Sequence, residues 1–273
     1  MKQLANRVAV VTGASSGIGR ATSLLLAQRG CRLAISDVDA SGLEETRRLI
    51  EAQGGQVTTH IVDVSKRDQM QRFVDEVLAA HGGVNILVNN AGVSVGGTFV
   101  DQSLEDFEWL MSINFWGVIY GCKLFLPALL AAEEGHIVNI SSVFGLVGVP
   151  MQSSYCASKF AVRGFSESLL AELGGTRVGV TCVHPGGVAT NIAAASKVVG
   201  NEATHERHAK IVRQFRKMLP PEKAAEKIVA GIERRRQRVL ITRETYLLDF
   251  AKRVFPTGSS SLVQWGFRRV HPQ

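Results

Sequence analysis

Tyr155 and Lys159 stand four residues apart in a stretch, 154–173, whose apolar spacing predicts a helix, so the phenol and the ammonium share one face. A phenol with a pKa of about 10 is a poor base at neutral pH. A neighbouring cation favours the phenolate, and the expectation is that Lys159 lowers the Tyr155 pKa enough for proton exchange with an alcohol. Surface helices also carry such pairs by chance, so the plainer reading is structural. Ser142 lies 13 residues before Tyr155, just past a β-rich run at 136–140, where its hydroxyl can serve a carbonyl oxygen. Ser141 is the near alternative. That place is the C-terminal edge of a strand, where open α/β sheets bind ligands.

A second pattern opens the chain. The run from Val8 through Thr12 is followed by Gly13, Gly17 and Gly19, spaced G-x3-G-x-G between an expected strand and an expected helix. Gly13 can supply the tight turn, Gly17 a close backbone approach to phosphate, and Gly19 close packing of helix on strand. The helix N-terminus then offers N–H groups and a positive dipole end to a pyrophosphate. Asp37 follows 18 residues after Gly19 and ends the second expected strand, where a carboxylate can accept hydrogen bonds from an adenosine ribose. It would repel a 2′-phosphate, and neither Ser16 nor Val38 brings a compensating cation, which favours NAD over NADP. The plainer readings are an ordinary loop and a loop-capping aspartate.

Positioning these groups requires alternating elements. Short β-rich runs at 8–11, 32–36, 57–62, 85–88, 136–140 and 178–183 alternate with helix candidates at 18–29, 41–53, 67–80, 104–132 and 154–173. A further helix at 221–233 and a seventh strand at 238–241 follow. Such alternation implies βαβ units and a parallel sheet, and strands that are apolar almost throughout imply helices on both faces. The fold class expected is therefore α/β, a doubly wound Rossmann fold with about seven parallel strands. We read residues 1–255 as one domain with an insertion at 189–219, partly helical, and residues 256–273 as a basic and aromatic tail.

Of the 273 residues, 45% are hydrophobic and 20% charged, enough apolar material to exclude disorder as the main state. No run of about 18 apolar residues predicts a membrane span, and the apolar stretch 8–11 is too short for a signal peptide. The four cysteines, Cys31, Cys122, Cys156 and Cys182, show no metal-ligand spacing and read as buried reduced thiols of a cytoplasmic protein. The net charge of +7 is uneven: residues 1–200 hold 15 Lys+Arg against 17 Asp+Glu, and residues 201–273 hold 16 against 7.

Taken in order, the 12–19 loop, Asn89-Asn90-Ala91-Gly92, Ser142, Tyr155-Cys-Ala-Ser-Lys159 and Pro185-Gly186-Gly-Val188-Ala-Thr190 resemble the short-chain dehydrogenase/reductase family over residues 5–190, and weakly to 245. The resemblance implies a cofactor loop that includes Gly13, Ser15, Ser16, Gly17, Ile18 and Gly19, with Asp37 matching the acidic residue of NAD users. It further implies that Asp63 and Val64 meet the adenine, and that Asn90, Ala91 and Gly92 line the cofactor. Pro185, Gly186, Val188 and Thr190 would hold the nicotinamide end, and Asn114, Ser142, Tyr155 and Lys159 would form the catalytic set, with Asn114 holding a water in a proton relay. Tyr155 and Lys159 also count among the cofactor contacts.

The segment after Ser142 (Val143, Phe144, Gly145, Leu146, Val147), residues 149–152, and Ile192, Phe215, Met218 and Leu219 are expected around the substrate. They are apolar and without a fixed cation, which points to a hydrophobic alcohol or ketone; the plainer reading is ordinary core residues. The run from Tyr155 to Phe165, followed by His184-Pro-Gly-Gly187, resembles a bacterial-type branch of the family, and that resemblance implies a secondary alcohol or ketone, lipid- or steroid-like. The alternatives are an NADP-dependent carbonyl reductase and a catalytically silent nucleotide-binding regulatory protein. The family resemblance implies a homo-dimer or homo-tetramer through the helices bearing Asn114 and Tyr155; Phe115, Trp116, Phe160 and Phe165 add aromatic surface there. The basic excess (Arg213, Arg216, Lys217, residues 234–238, Lys252, Arg253, Arg268, Arg269), with Phe250, Phe255, Leu262, Trp265 and Phe267, admits peripheral contact with an anionic membrane. The plainer alternative is a solvated or subunit-facing surface. No recognised module supports nucleic-acid binding.

Overall fold

The computed structural model describes residues 1, 3–215, 217–258 and 261. The expected positions Arg216, Leu262, Trp265, Phe267, Arg268 and Arg269 lie outside the described residues. In chain order the elements are β1 (Val8–Thr12), α1 (Gly17–Gln28), β2 (Arg32–Asp37), α2 (Ala40–Glu51), β3 (Val57–Ile61), α3 (Arg67–His81), β4 (Ile86–Asn89), β5 (Val95–Gly96) and α4 (Leu104–Met111). After a π-helical turn (Ser112–Trp116) come α5 (Gly117–Ala131), β6 (Gly135–Ile140), a 3-10 turn (Val143–Gly145), α6 (Ser153–Glu172) and β7 (Val178–His184). The chain continues with β8 (Lys197–Val198), α7 (Glu202–Phe215), α8 (Pro221–Glu233), β9 (Arg238–Leu240) and α9 (Arg243–Val254).

Seven strands form one sheet in the order β3-β2-β1-β4-β6-β7-β9, and every pairing within it is parallel. Side chains alternate across a strand, and here both faces are apolar. Val11, Ile35 and Val138 enter one core with Leu26, Leu43, Ile50, Ile228 and Ile232. Their neighbours Val10, Ala34 and Ile137 enter the other with Met70, Phe73, Phe125, Leu129 and Val162. The strand order reverses at β1 and β4, so the loops after β1, β4 and β6 open on one edge. Local signals start the helices: Asp39 accepts from Gly42 N at 3.1 Å ahead of α2, Ser103 accepts from Asp106 N at 3.1 Å ahead of α4, and Pro221 takes the first turn of α8.

The single helix expected at 104–132 is three pieces, because the π-helical turn interrupts it at Asn114. The rod Leu104–Ala131 is long and apolar enough, by length and composition, to cross a membrane. No unbroken apolar run marks it in the sequence, since Ser112, Asn114 and Lys123 interrupt the stretch. In the fold, the rod buries Val118, Cys122, Phe125 and Leu129 in the second core. Helix α9 was not expected from the sequence. The four cysteines are buried and unbridged, and burial pushes the Cys31, Cys122 and Cys182 thiols up to about 12.

Two histidines are fully buried in the sheet. Thr181 Oγ1 donates to Arg236 O, so the 2.8 Å contact between His136 Nε2 and that hydroxyl has the ring donating. His184 Nδ1 lies 3.0 Å from Ser142 O and must also donate. Each ring is then a neutral tautomer, and burial lowers His136 to about 3 and His184 to about 4. Both values lie below the unfolded value of about 6.5, so the unfolded chain binds the extra protons. Stability is therefore full above pH 6.5 and falls as pH drops toward 4. Urea denaturation should show a loss of about 4 kcal/mol from these rings between pH 7.5 and 5, and His136→Gln should halve that slope.

Candidate active site

The turn after β1 closes on itself through glycine. Gly13 and Gly17 have φ of +67° and +54°, values favourable only to glycine. A Cβ on Gly19 would collide with Gly13 O, and one on Gly13 would sit 2.7 Å from Ala91 Cα. Loop 90–92 is stapled against this turn: Asn90 N and Ala91 N donate to Thr12 Oγ1 at 3.1 Å each. Asn90 Nδ2 donates to Thr12 O at 3.0 Å and to Gly13 O at 2.9 Å. Ser16, at the N-cap of α1, makes no side-chain cap, which leaves the helix entrance open to an external anion.

Asp37 stands at the end of β2 beside this turn. Its Oδ2 accepts from Ser15 N at 2.9 Å and its Oδ1 from Asp39 N at 3.1 Å. Next to it Val38 and Ile61 are 65% and 60% exposed; they form an apolar surface at the strand ends that the sequence reading did not single out as a contact. Asp63 accepts from Ser65 N and Oγ at 2.9 and 2.7 Å. The Val64 side chain is buried in the second core, and a Cβ on Gly117 would lie 2.8 Å from its Cγ2. Only its backbone is left to meet a ligand.

Helix α6 brings Tyr155 and Lys159 to the end of β6. Lys159 is 3% exposed and its Nζ donates to Ile140 O at 3.0 Å. The Nζ also lies 5.6 Å from the Tyr155 ring centroid. Ser141 and Ser142 separate here. Ser141 Oγ donates to Lys159 O at 2.8 Å, whereas the Ser142 hydroxyl faces Tyr155 and accepts from Phe144 N at 3.1 Å. The π-helical turn carries Asn114, whose Oδ1 accepts from Val93 N at 2.8 Å and whose Nδ2 donates to Val93 O at 2.9 Å. A Cβ on Gly92 would stand 3.2 Å from Asn114 Oδ1 and 3.5 Å from Lys159 Nζ, so those groups face one small space.

The electrostatics correct the expectation about Tyr155. Burial pushes the phenol up to about 12, opposed by the Ser142 hydroxyl, and burial pulls Lys159 down to about 8. Desolvation is the largest cause of the rise in the phenol.

Segment 185–190 leaves β7 toward the 13–19 loop, and a Cβ on Gly17 would meet Thr190 Cγ2 at 3.0 Å. Gly186 is wedged against Thr242 and Thr245, Gly187 N donates to Glu244 Oε1 at 3.1 Å, and Val188 bridges to Leu219. Above the phenol, Val93, Val95, Leu110, Phe144, Ile192 and Val199 form an apolar cluster with Tyr155. Strands β5 and β8 pair over it, tied by the Lys197–Asp106 ion pair. Leu146 and Val147, expected near substrate, instead pack with Leu240 and Leu248. A cation does approach the rim, since Arg207 Nη1 lies 3.4 Å from Met151 Sδ. The distinction between the serines is measurable: Ser141→Ala should lose about 1–3 kcal/mol in urea denaturation by leaving Lys159 O short of a donor, and Ser142→Ala about 1 kcal/mol or less.

The family model of the short chain dehydrogenases matches residues 7–198. A Mycobacterium tuberculosis chain assigned as the oxidoreductase SadH is 41% identical over 100% of this chain and 99% of its own. Epidermal retinol dehydrogenase 2 of Mus musculus is 34% identical over 96% of this chain and 82% of its own. A solved short chain dehydrogenase/reductase from Burkholderia phymatum, in complex with NAD, superposes with a TM-score of 0.88 at 32% identity, covering 93% of this chain and 95% of the other. The protein thus belongs to the short chain dehydrogenase family and is an oxidoreductase.

Proposed function

We propose that the protein transfers a hydride between a nicotinamide dinucleotide and a hydrophobic secondary alcohol or its ketone, with Tyr155 as general acid and base. The observation that carries this reading is the meeting of a buried phenol, a buried ammonium and the Ser142 hydroxyl at the floor of an apolar cluster. The residues present fit a dinucleotide. Gly13 and Gly19 let the turn after β1 pack tightly where side chains would collide with its backbone, and the entrance of α1 is uncapped. That turn would hold the pyrophosphate, Asp37 the adenosine ribose, Val38, Ile61 and Asp63 the adenine side, segment 185–190 the nicotinamide end, and Lys159 the nearer ribose. Asp37 and the NAD complex of the Burkholderia neighbour favour NAD. When bound, the nicotinamide ring supplies the hydride acceptor or donor and, in its oxidised form, a positive charge that favours the Tyr155 phenolate.

Towards the alcohol, the Tyr155 phenol gives its proton to the carbonyl oxygen while Ser142 donates a hydrogen bond to the same oxygen. Lys159 returns a proton to the Tyr155 phenolate, resupplied through water that Asn114 would hold in the space beyond Gly92. Towards the ketone the steps reverse. The apolar cluster excludes water from the reacting carbon, and the name of the murine relative supports a lipid-like alcohol.

Exposed Trp116 and Phe160 support a homo-oligomer through α5 and α6. On α9, Tyr246, Leu247, Phe250 and Val254 form an exposed apolar row with Arg253 nearby. That row supports peripheral contact with an anionic surface, which liposome sedimentation measures.

A screen of aliphatic secondary alcohols, steroids and retinoids for NADH formation should find turnover. On the best alcohol, Tyr155→Phe should lose two to four decades in kcat while NADH still quenches protein fluorescence with near wild-type affinity. Near-normal turnover would remove Tyr155 from its role. In the same titration NADH should bind at least about tenfold more tightly than NADPH, and Asp37→Ser should erase most of that difference.

A further inference from the structure

We propose that His184 is a positioning residue for Ser142, holding the backbone of that serine so that its hydroxyl faces the Tyr155 phenol. The inference rests on the proposed roles of Ser142 and Tyr155. Where β6 ends, the chain must leave the sheet and turn within a few residues. Ser141 N still donates to Val183 O at 2.8 Å and Val143 N to Pro185 O at 2.7 Å, so β7 accepts from both sides of Ser142. The reverse donation fails, because Pro185 has no N–H to offer. The His184 ring, also on β7, donates instead to the carbonyl of the next residue, Ser142.

The bond has a definite sense. A carbonyl only accepts, so His184 Nδ1 carries the hydrogen and donates to Ser142 O at 3.0 Å. Gly145 N donates to the same oxygen at 2.9 Å. One donor comes from the turn itself and one from the neighbouring strand, and together they occupy both lone pairs of the carbonyl. Ser142 is extended, with φ −165° and ψ 166°, and its Oγ accepts from Phe144 N at 3.1 Å. With the peptide plane held from both sides, the side chain is left toward Tyr155. His184 is 0% exposed, and its Nε2 is buried without a hydrogen-bond partner among the described residues. The ring thus spends its buried polarity on a single contact, the one to Ser142. A space-filling role alone would be met by an apolar side chain without leaving a buried nitrogen unpaired.

The test separates donor from filler. In asparagine, Nδ2 occupies nearly the place of the histidine Nδ1 and donates; leucine fills the space and does not. His184→Asn and His184→Leu are made in the wild-type chain and in Ser142→Ala, with CD melts to confirm folding. Turnover is read with NAD and 2-octanol, or retinol where the wild type prefers it. His184→Leu should lower kcat at least tenfold while NADH affinity stays within threefold, and His184→Asn should recover most of the loss. In Ser142→Ala, His184→Leu should change kcat less than twofold, because the group it positions is gone. An equal loss in both backgrounds, equal effects of Asn and Leu, or wild-type turnover in His184→Leu would each overturn the proposal. Wild-type turnover in Ser142→Ala alone would instead overturn the parent reading, and this inference with it.

Discussion

A lysine gripped at both ends organises the site. The Lys159 ammonium donates to Ile140 O at 3.0 Å, and its own backbone carbonyl accepts from Ser141 Oγ at 2.8 Å. Helix α6 is thereby tied to the end of β6 by one bond in each direction, inside the protein, where each bond is strong because water does not compete. Gly145 lies so close to this junction that a Cβ would fall 2.7 Å from Lys159 O. The distance between Tyr155 and Ser142 follows from that junction: one residue lies a turn before Lys159 on the helix, the other next to Ser141 on the strand. Burying an ammonium this way is costly. The protein bears the cost where helix and strand must meet in one geometry, which also lowers Lys159 to about 8.

The dinucleotide side depends on a different economy, that of short loops with no slack. Thr12 contributes both its carbonyl and its hydroxyl to residues 90 and 91, so the turns after β1 and β4 move as one. Asp37 is joined to the same assembly through Ser15 N. Its carboxylate can therefore orient the loop and still present polar surface at the strand end, so the structural and the ligand-directed readings of this residue are compatible. On the opposite side, Glu244 on α9 holds Gly187 N, which makes the C-terminal quarter a support for the 185–190 segment.

Much of this was legible in the chain. Seven strands and most of the helices follow from apolar periodicity, because a sheet covered on both faces needs unbroken apolar strands and the crossover helices need one apolar face each. The glycine turn was legible because positive φ and close approach leave glycine little competition. The π-helical turn at Asn114 was not, since nothing in Ser112-Ile-Asn-Phe-Trp116 departs from helical spacing; the turn is set by Asn114 bonding Val93 across the cleft. Helix α9 was also missed. Its apolar residues Tyr246, Leu247, Phe250 and Val254 lie on the exposed side, the reverse of the pattern by which a packed helix is recognised.

The sequence by itself determined the α/β alternation, the glycine turn, the acidic residue at the end of β2 and the phenol-ammonium pair, because each depends on residue type and on spacing along one element. Tertiary structure alone decided the different partners of Ser141 and Ser142, the burial of the Val64 side chain, the packing of Leu146 and Val147 with Leu240 and Leu248, and the desolvation of Tyr155. Those outcomes depend on which distant groups approach and on how much water is removed. Desolvation is a property of the assembled interior, and no local pattern along the chain encodes its strength.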